Sequence, residues 1–107
     1  VQAKNCEGVV FENPIEAARR VADVLKNQEK CDLVVCLSHL GWQGKNYSDE
    51  TLISNTRNID IVLGGHSHSY FDKTLFYKNL DGEEIPLQQM GKNAVYVGKI
   101  EVRMEKN

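Results

Sequence analysis

Two short runs of consecutive apolar residues constrain the fold of this chain more than any other feature. They occupy residues 32–37 and 60–63, and both are rich in aliphatic and β-branched side chains. Runs of this length are typical of strands, and the lack of polar alternation is typical of strands covered on both faces of a parallel sheet. Each run follows a segment with helix signals, so the sequence predicts an α/β fold.

The first of these helices is predicted over residues 13–28. Asn13 is a suitable cap, Pro14 suits the first helical position, and Glu16 lies where a side chain can reach back to the cap. Apolar residues then recur at helical spacing. A shorter second helix is predicted over residues 48–58, which opens with a serine and two acidic residues.

The C-terminal part of the chain has the pattern of further strands. Residues 74–77 and 85–89 flank Asp81-Gly82, which is a strong signal for a hairpin turn. Residues 94–102 are predicted to form one more strand. The predicted order of elements is therefore α-β-α-β-β-β-β.

Length and charge limit the classes of function. At 107 residues the chain has the size of one small domain or of part of one, and because it begins with Val1 we expect it to be a piece of a longer protein. Its 13 Lys and Arg and 15 Asp and Glu residues form no run of one sign, which argues against nucleic acid or an anionic membrane as a partner. No apolar stretch approaches the roughly 20 residues of a membrane-spanning helix, so we expect no membrane insertion.

All three histidines lie where a predicted strand ends. His39 follows the first apolar run, and His66 and His68 follow the second, in a loop that begins with Gly64 and Gly65. Ligands in α/β proteins bind outside the carboxyl ends of strands, and neutral imidazole is a good ligand for zinc and similar ions. A single histidine after a strand is more often a hydrogen-bonded surface residue, and His39 alone would be interpreted in that way. Three histidines so placed favour a metal site.

The spacing within the second loop favours two metal ions over one. His66 and His68 are separated by one residue, which in extended backbone is about 6–7 Å. This separation suits two ions about 3.5–4 Å apart, each bound by one of the histidines, as in sites that hydrolyse phosphate esters. We therefore expect the three histidines to converge at one edge of the sheet.

The motifs around the histidines resemble those of a known family. Residues 37–41, Leu-Ser-His-Leu-Gly, and residues 60–68, Asp-Ile-Val-Leu-Gly-Gly-His-Ser-His, are similar to the last two metal motifs of calcineurin-like metallophosphoesterases. Within that superfamily they most resemble the bacterial 5'-nucleotidases. The similarity extends over about residues 13–102 and includes the turn at residues 89–92, Gln-Met-Gly-Lys.

This resemblance implies a site, a reaction and a fold. It makes His39 and His66 ligands of one divalent ion and His68 a ligand of the other, the ions being Zn, Mn or similar. It implies a phosphohydrolase that acts on nucleoside 5'-monophosphates or related phosphate esters, in the periplasm or secreted. The implied parent fold is a four-layer α/β/β/α sandwich, of which this chain would be the C-terminal half.

The same resemblance shows what the chain lacks. The family's transition-state histidine and the aspartate that bridges its two metals belong to upstream motifs that are absent here, as is a nucleoside-binding domain. We therefore expect the chain alone to bind a single ion weakly and to be inactive. The alternative is a non-catalytic metal-binding or interaction module that retains the histidines. Half a sandwich also leaves an apolar sheet face uncovered, which predicts self-association.

Four other residues allow two interpretations each. Trp42 and Tyr47 are suited to stacking on a nucleobase, although packing of their loop is favoured. Asp49 is suited to accepting a hydrogen bond from a ligand histidine, although a charge at a helix N-terminus is favoured. Lys92 is suited to phosphate contact, although a lysine in a turn is ordinarily solvated.

Overall fold

The fold is a mixed sheet with helices, which confirms the α/β prediction. The computed structural model describes residues 13–44, 47–92 and 96–105. Its helices and strands, in chain order, are α1 (Pro14–Asp23), β1 (Val35–Leu37), α2 (Asp49–Ser54), β2 (Ile61–Leu63), β3 (Leu75–Lys78) and β4 (Glu84–Gln88).

The start of α1 follows from its capping residue. The side chain of Asn13 accepts hydrogen bonds from the backbone amides of Ile15 and Glu16, at 2.9 and 3.2 Å, which satisfies two of the amides that a helix start leaves free. The helix continues into a π-helical turn, Val24–Gln28, so the predicted end is confirmed although the last turn is wider than an α-helical one. In the described part of the chain no helix is long and apolar enough to cross a membrane.

The second helix is shorter than predicted. Ser48 and Thr51 form a reciprocal capping box at its start. The helix ends at Ser54, four residues before the predicted end, and the hydroxyl of Thr56 donates to the carbonyl of Leu52 at 2.7 Å. The chain then turns through Asn58, which has a φ of 71°. The backbone leaves the helical conformation at Asn55, which has a φ of -114° and a ψ of 13°, and the positive φ of Asn58 prevents the helix from resuming there.

The four strands form one sheet in the order β1-β2-β4-β3. Strands β1 and β2 are parallel and pair Val35 with Ile61 and Leu37 with Leu63. Strand β4 adds to β2 in parallel, and β3 returns antiparallel to β4. The hairpin predicted around Asp81-Gly82 is confirmed, since Gly82 has the positive φ of 79° that a tight turn requires.

The hydrophobic core lies on one face of this sheet. Val62 of β2 and Leu87 of β4 are fully buried there, and both helices contribute to the same cluster. Because burial of this kind requires the two helices to lie on that face, no described helix remains for the other. The cluster comprises Ala22, Val34, Leu52, Ile53, Ile59, Val62, Phe71, Ile85 and Leu87.

The prediction that the first strand is covered on both faces is wrong. Val35 and Leu37 point away from the core and are 42% and 80% exposed, whereas Val34 just before the strand is buried. The reason is architectural: β1 lies at the edge of the sheet, and the described helices cover the opposite face. The uncovered apolar face that the sequence predicts is therefore present in part, since Ile61, which pairs with Val35 on this face, is buried.

The predicted strand over residues 94–102 is also corrected. Residues 94 and 95 lie outside the described residues, and residues 96–102 form no strand. Strand propensity needs a partner ladder, and none of the four strands pairs with this segment. Instead, Ile100 and Val102 line a groove together with Ile61 and Phe76 of the uncovered face.

Candidate metal centre

The parallel pairing of β1 and β2 brings two of the three histidines together. The amide of Ser38 donates to the carbonyl of Leu63 at 2.9 Å, so the two strands remain joined up to the point where the histidine loops begin. The rings of His39 and His66 have centroids 4.9 Å apart and an interplanar angle of 70°. Both side chains are exposed, so their ring nitrogens can reach a ligand in solvent.

Glycines permit this close approach of the two loops. A Cβ atom added to Gly65 would lie 3.3 Å from Nδ1 of His39, which is tighter than ordinary van der Waals contact. Gly41 has a φ of 96°, and a Cβ atom there would lie 3.5 Å from Cδ2 of His66. A side chain at position 65 would crowd the imidazole of His39, and one at position 41 would strain the backbone.

The loop that carries His66 and His68 has an unusual backbone. Both residues have positive φ, 73° and 57°, although neither is glycine. Such a conformation costs on the order of 1 kcal/mol or more per residue and persists only when the surroundings fix it. The side chain of Gln89 supplies this fixation, because its Oε1 accepts from the Ser67 hydroxyl at 3.1 Å and from the Ser69 amide at 2.7 Å.

His68 is exposed on the same loop, and no contact places it beside the other two rings. In the part of the chain that the structure describes, no group of three or more His, Cys, Asp or Glu side chains is arranged to hold a metal ion. Of the three predicted ligands, the structure brings together the rings of His39 and His66, and the described residues do not form a complete metal site.

Asp49 begins α2, as the favoured interpretation held. Its side chain is also fully buried, which the sequence did not indicate. Its carboxylate accepts a hydrogen bond from the hydroxyl of Ser38, the residue before His39, and no contact joins it to an imidazole. The position of Asp49 at a helix start could be predicted from the sequence, whereas its burial depends on how α2 packs.

The second carboxylate oxygen of Asp49 has no hydrogen-bond partner among the described residues, and neither has Nε2 of Gln89. Both atoms surround Gly64, where an added Cβ atom would overlap Oδ2 of Asp49 and lie 3.4 Å from Nε2 of Gln89. Burial raises the pKa of Asp49, and the hydrogen bond from Ser38 partly opposes this rise. A buried polar pair thus lies directly beneath the histidine loops.

Trp42, which lies in the loop after His39, has a structural role. The indole Nε1 of Trp42 donates to the hydroxyl of Tyr77 at 2.9 Å, and its ring contacts that of Phe71 edge to face at a centroid distance of 4.9 Å. Trp42 therefore packs its loop against the sheet, as the favoured interpretation held. Tyr47 and Lys92 are exposed.

Comparisons with known proteins point in one direction. No family model matches the chain. It is 24% identical over 99 residues to the trifunctional nucleotide phosphoesterase protein YfkN of Bacillus subtilis, covering 92% of this chain and 6% of that protein. It is 31% identical over 78 residues to a 5'-nucleotidase of Mus musculus, covering 73% of this chain and 12% of that protein.

Solved structures agree with these relatives. The 5'-nucleotidase precursor of Thermus thermophilus matches 75% of this chain with a TM-score of 0.64 and 25% identity, over 17% of its own length. The NAD nucleotidase of Haemophilus influenzae shares the fold with the same TM-score of 0.64, at 23% identity, over 78% of this chain and 18% of its own.

The fold and the sequence relationships are those of nucleotide phosphoesterases. The resemblance to the 5'-nucleotidase type of metallophosphoesterase is confirmed, since the matching relatives and structures include 5'-nucleotidases. The chain spans only a small part of each of these proteins, 6% of the Bacillus subtilis protein and 12% of the Mus musculus 5'-nucleotidase.

The raised pKa of Asp49 predicts a pH-dependent stability. The folded chain binds a proton at this carboxyl more tightly than the unfolded chain, so the corresponding stability is fully present below the ordinary carboxyl pKa and is lost as pH rises through the raised pKa. Asp49→Asn removes this loss. We expect its unfolding free energy, relative to that of the unaltered chain, to increase across that pH window in urea titrations followed by Trp42 fluorescence. A difference independent of pH would contradict the assignment.

Proposed function

We propose that this chain is part of a dinuclear-metal phosphohydrolase that acts on nucleoside 5'-monophosphates or related phosphate esters. The observation that supports this most directly is the contact between the His39 and His66 rings at the carboxyl edge of parallel strands. His39 and His66 bind one ion in this proposal, and His68 binds the other. The relationship to nucleotidases supports the substrate class, and a periplasmic or secreted location is proposed with it.

The histidines have a defined part in such a reaction. Bound divalent cations neutralise phosphate charge and lower the pKa of a coordinated water in sites of this class. His39 and His66 contribute neutral ligands whose places are fixed by the sheet, while their exposure leaves room for a phosphate ester. Neutral ligands do not compensate the repulsion between two cations, so the complete site requires carboxylates from elsewhere in the protein.

The chain alone should therefore bind one ion, with His39 and His66 as ligands. We expect Co²⁺ titration of the purified chain, followed by its visible absorption, to show weak binding. His39→Ala or His66→Ala should weaken this binding by more than the roughly 10- to 100-fold that changes outside the ligand shell cost. His68→Ala is the matched control and should leave the affinity nearly unchanged. Equal losses in all three variants would contradict the division of the histidines between two ions.

The chain alone should also lack activity. It has neither the bridging carboxylate nor the transition-state histidine that the family resemblance calls for. We expect no phosphate release from AMP above the metal blank in the presence of Mn²⁺ or Zn²⁺. The control is His66→Ala prepared in the same way. A rate that survives repurification and disappears in His66→Ala would show that the residues present are sufficient.

Self-association is the partner interaction that we propose for the chain. Val35, Leu37 and Phe76 are exposed on the face of the sheet opposite the described helices, and β1 offers an open edge. Burial of even a few hundred Å² of this surface, at about 25 cal/mol per Å², amounts to several kcal/mol. Unpaired strand edges favour association as well, because their amides and carbonyls can pair with another chain. A second copy would thus cover the apolar face.

A charge on this face should prevent association. We expect sedimentation velocity at micromolar concentration to give a dimer or larger oligomer for the unaltered chain and a monomer for Leu37→Glu. Leu80→Glu is the matched control: Leu80 lies in the β3–β4 turn, is 43% exposed, and its substitution should leave the oligomer intact. A monomeric unaltered chain would contradict the proposal.

A further inference from the structure

We propose that Asp49 is a positioning residue that holds the two histidine loops in their relative places. The proposal rests on the proposed function in so far as His39 and His66 are taken as metal ligands. Asp49 contacts neither imidazole, so its effect passes through the loops that carry them. The contacts that transmit it run to both loops.

Asp49 fixes the first loop at both of its ends. Its carboxylate accepts a hydrogen bond from the hydroxyl of Ser38, which in turn accepts from the amide of Leu40 at 3.2 Å. Its backbone amide donates to the carbonyl of Gly41 at 2.7 Å. His39 lies between these anchor points. Movement of the start of α2 would therefore move the His39 backbone with it.

Asp49 also lies directly against the start of the second loop. A Cβ atom on Gly64 would overlap its Oδ2 atom, so the carboxylate occupies the space that a side chain would fill. The amide of Gly64 donates to the carbonyl of Gln88 at 2.8 Å, which leads into Gln89. Gln89 then holds the backbone of the His66 loop through Ser67 and Ser69. The buried carboxylate and carboxamide thus enclose the strand end from which His66 departs.

Stability alone does not explain this choice of residues. A fully buried carboxylate with one oxygen that lacks a partner among the described residues is unfavourable, and an apolar residue of similar size would ordinarily serve the core better. What the carboxylate provides, and an apolar residue does not, is a fixed hydrogen bond to the residue before His39. The Asp49 carboxylate and the Gln89 carboxamide therefore fix the positions of the two histidine loops.

The test uses three variants of the chain and a readout of ring geometry. Asp49→Ala and Ser38→Ala each remove the hydrogen bond, whereas Asp49→Asn keeps an acceptor for Ser38. We expect the nuclear Overhauser effect between the His39 and His66 ring protons to be lost in both alanine variants and retained in Asp49→Asn. Co²⁺ affinity should fall about 10- to 100-fold in the alanine variants, the range for residues that orient metal ligands. An unchanged ring contact in a folded alanine variant would overturn the proposal, as would an equal loss in Asp49→Asn.

A second comparison tests the contact with the other loop. Gly64→Ala should displace Asp49 and weaken the ring contact, and the added change Asp49→Ala should cause no further loss, because both act on one contact. Gly44→Ala is the matched control, since a Cβ atom there meets its neighbours at ordinary distances of 3.4 and 3.8 Å. Additive losses from the two changes would contradict the proposal that Asp49 acts on the second loop through its contact with Gly64.

The two readouts separate this proposal from the proposed function. If the unaltered chain binds no Co²⁺ through its histidines, the proposed metal function fails, while the ring contact still reports on positioning. If Co²⁺ binds and both readouts are indifferent to Asp49→Ala and Ser38→Ala, the positioning role fails and the metal function stands.

Discussion

The pairing of β1 with β2 is the constraint on which the rest of the structure depends. Because the strands are parallel and paired without offset from Val35 and Ile61 onward, their carboxyl ends leave the sheet side by side. Both histidine loops therefore begin at the same edge, and the rings of His39 and His66 meet although the two residues lie 27 positions apart in the chain. Antiparallel pairing of the same two runs would have placed these loops at opposite edges.

The region beneath the histidine loops combines buried polar side chains with strained backbone. Gly64 and Gly65 carry no side chains, and this leaves space for the Asp49 carboxylate on one side and the His39 ring on the other. The positive φ of His66 is sustained because Gln89 binds the next turn of the same loop. Strain in the backbone and burial of polar groups thus coincide at the loops that carry the proposed metal ligands, as is common at functional sites.

Local signals were sufficient for the start of α1, for the four strands and for the position of the histidines after β1 and β2. These signals depend on only a few neighbouring residues. The structure has a helix start at Asn13, strands at the two apolar runs and a hairpin at Asp81-Gly82. The burial of Asp49 could not be predicted from the sequence, because it depends on the packing of α2 against the strand ends. The exposure of Leu37 could not be predicted from its apolar run either, because such a run does not indicate on how many faces the strand is covered.

The segment after Gly91 also shows that local sequence signals do not determine tertiary pairing. Its alternating residues have the propensity of a strand, but propensity is realised only where a neighbouring ladder offers amides and carbonyls. With β4 already paired on both sides and no described strand joined to this segment, its described residues lie exposed, with Ile100 and Val102 beside the groove on the uncovered face. The described residues therefore supply more apolar strand surface than the two helices cover, and the unpaired segment lies beside that surface without joining the sheet.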